Sequence, residues 1–339
     1  MRTADFDFAL PPALIAQRPA EPRDSSRLMV LRRAARTVEH HRFSDLPALL
    51  QSGDLLVVND TRVMAARLFG IRPDTGGAVE ALLVRPLTDT LWETLLRPAR
   101  AAVAGREFVF RTTNGELGGT VVDRGSETVT IEFARPFDPA TAGEVPLPPY
   151  IKGYDGDPER YQTVYSREAR SAAAPTAGLH FTPELLRELA SQGIERAAVT
   201  LQVGPGTFKP VKVEDPRDHA LHAEHVTIPA ETAAAILRAR ADGRRVVAVG
   251  TTVVRTLEHV ARERGSVQTY EGWTKLKILP GDEFNVVDVL VTNFHLPKST
   301  LLMLVCALAG TDFVLGAYRQ AVAEGYRFYS FGDAMILLP

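Results

Sequence analysis

The sequence predicts an α/β fold: a discontinuous α/β domain into which an all-β, barrel-like domain is inserted. Three observations point there. Near-continuous apolar runs such as Leu55-Leu-Val-Val58 end in polar tips, the pattern of strands buried on both faces. Between residues 64 and 150 short segments alternate apolar and polar without a long helical period. Beyond residue 150, helical and apolar strand-like segments follow one another. The α/β domain is therefore expected in residues 1–63 and 151–339, and the inserted all-β domain, a small barrel or sandwich, in 64–150.

In chain order, turn signals at Pro11-Pro12, Pro19 and Pro22 precede the first buried strand, which ends in Asn59-Asp60-Thr61-Arg62. In residues 128–133, Val129, Ile131 and Phe133 share one face, and Thr128, Thr130 and Glu132 the other. Residues 79–84, 91–96, 107–111 and 119–122 are similar pieces, separated by Gly, Pro, Asn and Asp. The texture changes after Pro146-Leu-Pro-Pro149. Thr182 then caps a helix with Pro183 at its first position and Leu185, Leu186 and Leu189 as its apolar stripe. A strand over 197–203 ends in Gly204-Pro-Gly-Thr207. A helix over 231–241 leads into a strand at 245–249 that ends in Gly250-Thr251-Thr252. A strand over 286–291 ends in Thr292-Asn-Phe-His295 and precedes a helix capped by Ser299.

The 339 residues carry 39 basic and 41 acidic side chains, a formal charge of 39 − 41 = −2, so a globally basic nucleic-acid coat is excluded. Residues 64–150 hold 9 Arg and 11 acids, so the insert is no basic clamp either. One cysteine, Cys306, rules out an intramolecular disulfide and a thiolate metal cluster, and suits a reducing cytoplasm. No signal peptide is read at the N-terminus, and the most apolar run, residues 301–309, is too short to span a bilayer.

Four apolar strands with polar tips place a ligand site beyond their carboxyl ends, where helix N-termini and unpaired backbone groups converge. Gly250-Thr251-Thr252 sits between a strand and a helix, so its N–H groups suit an anion; Arg255, one turn on, is either a carboxylate fork or a solvated helix residue. His180 and His295 are the candidate general bases, with a packed core histidine as the alternative at His180. Asp333 is either a turn residue or a functional acid. His219, His222 and His225 have a spacing open to metal ligation, although a surface loop explains them better. No nucleophile elbow, P-loop or His-Glu-x-x-His pattern occurs, which argues against serine hydrolase, P-loop NTPase and zincin chemistry.

Segments at these same positions carry a resemblance. They include Asp5-Phe-Asp-Phe-Ala-Leu-Pro11, Arg23-Asp-Ser-Ser-Arg27, residues 53–62, Tyr161-Gln-Thr-Val-Tyr165 and Ala174-Pro-Thr-Ala-Gly-Leu-His-Phe-Thr182. Further matches are Gly250-Thr-Thr252 with Arg255-Thr-Leu-Glu258, Thr292-Asn-Phe-His-Leu-Pro-Lys-Ser-Thr-Leu-Leu-Met303 and Tyr326-Arg-Phe-Tyr-Ser-Phe-Gly-Asp-Ala-Met335. Together they make the chain similar to the S-adenosylmethionine:tRNA ribosyltransferase-isomerase family of queuosine biosynthesis.

The resemblance implies transfer of the ribosyl part of S-adenosylmethionine to the aminomethyl group of 7-aminomethyl-7-deazaguanine at the tRNA wobble position. The product is epoxyqueuosine, with release of adenine and methionine. The cosubstrate is consumed, and neither a resident cofactor nor a metal is expected. The implied roles are His180 or His295 as base, Asp60 and Asp333 on ribose hydroxyls or the substrate amine, and Asn293 on a base edge. Arg255 and Thr252 are implied on the methionine carboxylate, Thr176 and Thr251 as further substrate contacts, and Arg62, Arg67, Lys298, Lys209 and Lys212 as phosphate contacts.

Gln202 and Val253 stand where the family pattern has His and Ser, so neither is expected to be essential as a proton donor, and residues 274–279 lack the aromatic-acidic run of that pattern. An S-adenosylmethionine methyltransferase would need a glycine-rich first loop that is not evident here. An RNA-binding module without catalysis is the remaining alternative.

Overall fold

The computed structural model describes residues 1–125, 128–139, 141–204 and 211–339. They form two compact units: Met1–Thr61 with Pro149–Arg167 and Ala174–Pro339, and Arg62–Pro148 with Glu168–Ala173.

The first unit is built on a nine-stranded sheet. Its order is Tyr270–Thr274, Glu224–Ile228, Glu195–Leu201, Leu55–Asn59, Val246–Val249, Val289–Asn293, Ala334–Leu338, Arg27–Arg32 and Thr37–Arg42. The four neighbours from Glu195–Leu201 to Val289–Asn293 are mutually parallel. Ala334–Leu338 returns antiparallel beside Val289–Asn293, so its first residue lies at the same edge as their last ones. Every residue of Leu55–Asn59, Val246–Val249 and Val289–Asn293 is buried, as strands covered on both faces require.

Side-chain alternation divides those strands between two cores. Leu55 and Val57 join the larger core with Ile236, Val253, Leu257, Leu302 and Val314, which come from helices Ala230–Ala241, Thr251–Arg264, Thr300–Ala309 and Thr311–Ala323. Leu56 and Val58 join Phe43, Phe181, Leu185 and Leu189 on the other face. The expected caps are in place: Thr182 Oγ1 accepts from the Leu185 amide at 3.1 Å, and Ser299 Oγ from the Leu302 amide at 3.1 Å.

The strand expected over 286–291 runs instead over Val289–Asn293. Val286 and Val287 donate their amides to the buried Glu258 carboxylate at 3.0 and 3.1 Å, which takes them out of the ladder. The strand expected over 197–203 is Glu195–Leu201, and of the tip that follows only Gly204 lies inside the described residues.

The second unit is a closed six-stranded barrel in the order Val129–Phe133, Leu91–Arg97, Ala78–Pro86, Arg67–Ile71, Glu107–Thr112 and Gly115–Arg124, filled by Phe108, Phe110, Phe133, Ile131 and Leu83. The strand Arg67–Ile71 was not anticipated because its pattern is inverted: Phe69 and Ile71 face outward, 42% and 40% exposed, while Gly70 faces in. A Cβ at Gly70 would sit 2.5 Å from the Val109 carbonyl oxygen and 2.8 Å from the Phe110 ring, so strand closure needs glycine there. Ala169–Ser171 pairs with Arg62–Val63, which brings Glu168–Ala173 into this unit from beyond the boundary at 150. Among the described residues no single helix is long and apolar enough to cross a membrane; Thr300–Ala309 and Thr311–Ala323 are bent by 117° where they meet.

Opposite the strand tips, Asp54 is 2% exposed and accepts from Arg245 Nε at 2.9 Å and from its terminal nitrogen at 2.5 Å. Arg245→Met strands that carboxylate in the interior, and the expected loss is about 3–5 kcal/mol in urea unfolding. A loss below about 1 kcal/mol would show that the pair does not hold this end of the sheet.

Candidate active site

The carboxyl ends of the parallel strands open into a cleft with about 740 Å³ of free space, its solvent mouth included. Gly250 takes φ +94° to turn Val246–Val249 directly into the helix Thr251–Arg264, a conformation suited to glycine. Among the described residues no side chain caps that helix, so its first N–H groups, at Thr251 and Thr252 on the cleft wall, are left for an anion. Asn59 ties the neighbouring tips together: its Nδ2 donates to the Leu201 carbonyl at 3.1 Å and to Thr252 Oγ1 at 3.3 Å, and its Oδ1 accepts from the Leu201 amide at 3.1 Å.

Asn293 ends the third strand on the cleft wall, 2% exposed. Its Nδ2 donates to the Tyr329 carbonyl at 3.1 Å and to His180 Nε2 at 3.2 Å, and among the described residues its buried Oδ1 meets no hydrogen-bond partner. The Tyr329 carbonyl can only accept, which settles which end of the amide is NH₂. His180 Nε2 must then be the unprotonated nitrogen, and its Nδ1–H donates to Ser26 Oγ at 2.8 Å. The His180 ring stacks on Phe43 at 4.9 Å. Burial first, then the charges of Arg327, Arg23 and Arg160, pull its pKa down from 6.5 to about 3.

His295 is half-buried and lines the cleft itself. Its Nε2 lies 2.9 Å from Thr292 Oγ1, and its backbone N–H donates to the Tyr318 hydroxyl at 3.0 Å. Burial lowers its pKa to about 3 as well. Opposite stand Tyr150 and Tyr329, with ring centroids 4.3 Å apart, and the Tyr150 hydroxyl lies 2.6 Å from Ser330 Oγ. Burial pushes both phenols up, Tyr329 to about 12, so both remain neutral. Among the described residues the cleft wall carries no Asp, Glu, Lys or Arg.

The structure thus brings Thr176, Thr251, Thr252, Asn293 and His295 to one wall, with His180 directly behind Asn293. Other expected site residues are engaged elsewhere. The Asp333 carboxylate accepts the Arg27 amide at 3.0 Å and the Arg327 amide at 2.8 Å, so it fastens a turn rather than facing the cleft. Asp60 accepts from Thr200 Oγ1 at 2.6 Å, with Arg167 at 3.4 Å, and is not on the cleft wall. Arg255 lines a separate cavity, ion-paired with buried Glu224 and donating to the Leu276 carbonyl at 2.9 Å. Lys298 is paired with Asp7 at 2.7 Å, and Arg62 belongs to the barrel unit.

Arg67 lies 3.1 Å from Glu80, and Lys209 is outside the described residues. Val253 packs in the larger core. Among the described residues no group of three or more His, Cys, Asp or Glu is placed to hold a metal. Tyr150, Tyr329 and Ser330 were not singled out from sequence. The available signal was the aromatic density of Tyr326-Arg-Phe-Tyr-Ser-Phe331, more than a single turn needs.

Both neutral histidines tie stability to acid. An unfolded chain protonates them near 6.5, whereas the folded chain resists down to about 3. Stability is therefore full above pH 6.5 and falls as pH drops through that window, by up to about 1.4 kcal/mol per unit for each ring. Urea midpoints of His180→Gln should show a shallower acid slope than the parent chain; parallel slopes would mean that His180 titrates normally.

Residues 3–337 match the family model described as "Queuosine biosynthesis protein". The chain is 56% identical over 343 residues to S-adenosylmethionine:tRNA ribosyltransferase-isomerase of Symbiobacterium thermophilum, covering 100% of both chains. It is 55% identical over 346 residues to the protein of the same name from Moorella thermoacetica, again with 100% of both covered. A crystal structure of S-adenosylmethionine tRNA ribosyltransferase from Thermotoga maritima matches with 40% identity and a TM-score of 0.58, over 98% of this chain and 100% of that one.

Proposed function

This chain belongs to the queuosine biosynthesis protein family, and from that premise we propose that it is an S-adenosylmethionine:tRNA ribosyltransferase-isomerase. The ribosyl unit moves to the aminomethyl nitrogen of 7-aminomethyl-7-deazaguanine at the tRNA wobble position. There it rearranges to an epoxycyclopentanediol, and the bonds to adenine and to the methionine sulfur break. S-adenosylmethionine is consumed as a cosubstrate, and no resident cofactor or metal enters this reading. The cytoplasm is its place, where tRNA is available and the buried thiol of Cys306 stays reduced.

The observation that carries the reading is a cleft wall without charged side chains that holds a neutral histidine. A sulfonium acidifies the adjoining 5′ carbon through its positive charge, and a neighbouring carboxylate would damp that effect. Here the faces of Tyr150 and Tyr329 offer the cation an attraction that leaves its charge uncompensated. The N–H groups at Thr251 and Thr252 suit the methionine carboxylate. The partnerless Asn293 Oδ1 suits the adenine amino group.

His295 is the proton acceptor of this scheme, because it lines the cleft whereas both nitrogens of His180 are engaged. Acceptance requires the tautomer in which Nε2–H donates to Thr292 Oγ1, leaving Nδ1 to receive the proton from the 5′ carbon. The low pKa keeps the ring unprotonated throughout the neutral range.

Incubation with S-adenosylmethionine and substrate tRNA should release adenine and methionine in step with modified nucleoside. S-adenosylhomocysteine as the product would mean methylation instead. His295→Ala should slow single-turnover chemistry by about 10²–10⁴-fold. The parent enzyme should show no acid limb near pH 6.5 in its kcat/KM profile, since protonation of this base belongs near pH 3. An undiminished rate in the alanine variant removes His295 from the role.

A further inference from the structure

Apart from the Arg255 cavity, a smaller hollow of about 210 Å³, its solvent mouth included, adjoins the cleft at Ser330. Arg23, Arg160, His180 and Gly332 line it, and Ser330 is shared with the cleft. Arg23 opens the segment Arg23–Arg27 and Arg160 directly precedes Tyr161-Gln-Thr-Val-Tyr165, and the chemistry above uses neither arginine.

Both arginines are half-buried, and much of their donor capacity is unused by the protein. Arg23 donates to the Leu179 carbonyl at 3.1 Å and to the Glu159 carbonyl at 2.9 Å, and among the described residues no carboxylate pairs with it. Arg160 donates to the Ala20 carbonyl at 2.6 Å and to Glu21 at 2.5 Å, a carboxylate whose side chain is 69% exposed. Only four of the ten N–H groups on the two guanidiniums thus meet a protein acceptor among the described residues. Burial and the adjacent Arg160 charge depress the Arg23 pKa to about 10, and Glu21 and Glu159 offset only part of that. Arg327, whose charge also acts on His180, donates to the Arg18 carbonyl at 3.3 Å and is paired with buried Asp333 at 3.4 Å. Two neighbouring guanidiniums with spare N–H groups at the edge of a cavity repel each other, and an anion between them would relieve that repulsion.

We infer that Arg23 and Arg160 form a phosphate subsite that clasps a backbone phosphodiester of the RNA whose modified base occupies the adjoining cleft. Forked guanidinium donors suit a phosphate oxygen pair better than a lone ammonium would. The position beside Ser330 places the phosphate within a nucleotide's reach of the cleft. Such a contact fixes the register of the strand without reading its sequence. The assignment rests on the tRNA reading above.

The test measures binding of an anticodon stem-loop RNA to the full chain by fluorescence anisotropy over a range of salt, with S-adenosylmethionine affinity measured alongside. Arg23→Gln and Arg160→Gln should each weaken RNA binding about tenfold and reduce the slope of log K against log salt by about 0.7. Stem-loops of differing anticodon should be weakened alike, and cosubstrate affinity should stay at the parent value. Arg160→Lys should recover part of the salt slope, because it keeps the charge without the fork.

Parent RNA affinity and salt slope in both glutamine variants, with cosubstrate binding intact, would overturn the inference. So would weakening confined to one anticodon sequence. Stabilisation of the parent chain by inorganic phosphate, lost in the variants while RNA affinity is unchanged, would assign the hollow to a free anion and overturn the RNA assignment. Failure of the parent chain to release adenine would instead count against the reaction, independently of these outcomes.

Discussion

Four neighbouring strands that run the same way and end along one edge of the sheet give this protein its cleft. Parallel pairing forces each chain return through a helix or a long connection, so every strand end becomes the start of something else. At Gly250 the return is immediate, and the helix begins with its N–H groups facing the ligand space. At Asn293 it is delayed by a turn that presents His295 to the same space. Asn59 makes the register rigid locally, since a one-residue slip would part its amide from both the Leu201 backbone and Thr252.

Charge is distributed to protect that edge. The buried carboxylates among the described residues are all held: Asp60 by Thr200 and Arg167, Glu224 by Arg255, Asp333 by two backbone amides and Arg327, Glu258 by the amides leading into Val289–Asn293, and Asp54, at the far end of the sheet, by Arg245. None of them lies on the cleft wall. A positively charged ligand is therefore met by aromatic faces, hydroxyls and amide dipoles, which attract it without cancelling its charge. Imidazoles fit the same logic, because burial keeps them uncharged at neutral pH.

How much of this was legible beforehand depended on whether the signal was local. Leu55-Leu-Val-Val58, the Thr182 and Ser299 caps and the alternation in Val129–Phe133 are written in neighbouring residues, and they appear as expected. The convergence of Thr252, Asn293 and His295 also followed from strand tips in an α/β layer. Asp333 and Arg255 did not yield to the same reasoning. Whether a carboxylate faces a ligand or a backbone amide is decided by partners such as Arg27, 306 residues distant along the chain. The strand Arg67–Ile71 was hidden because its outward face carries Phe69 and Ile71, which inverts the expected polarity. Tyr150 enters the cleft only through its contacts with Tyr329 and Ser330, far along the chain.

His180 shows why the two hollows belong to one design. Its Nε2 accepts from Asn293, its Nδ1–H reaches Ser26, and Phe43 covers its face, so the ring has one permitted protonation state. Protonating Nε2 would set two donors against each other and force the Asn293 amide to turn, moving the acceptor that faces the cleft. A carboxylate near His180 would encourage that protonation, whereas the cations of Arg327, Arg23 and Arg160 oppose it. Burial is the larger cause of the low pKa, so the ring stays neutral when one of these guanidiniums is replaced, and Arg23 and Arg160 remain available to an anion in their own hollow.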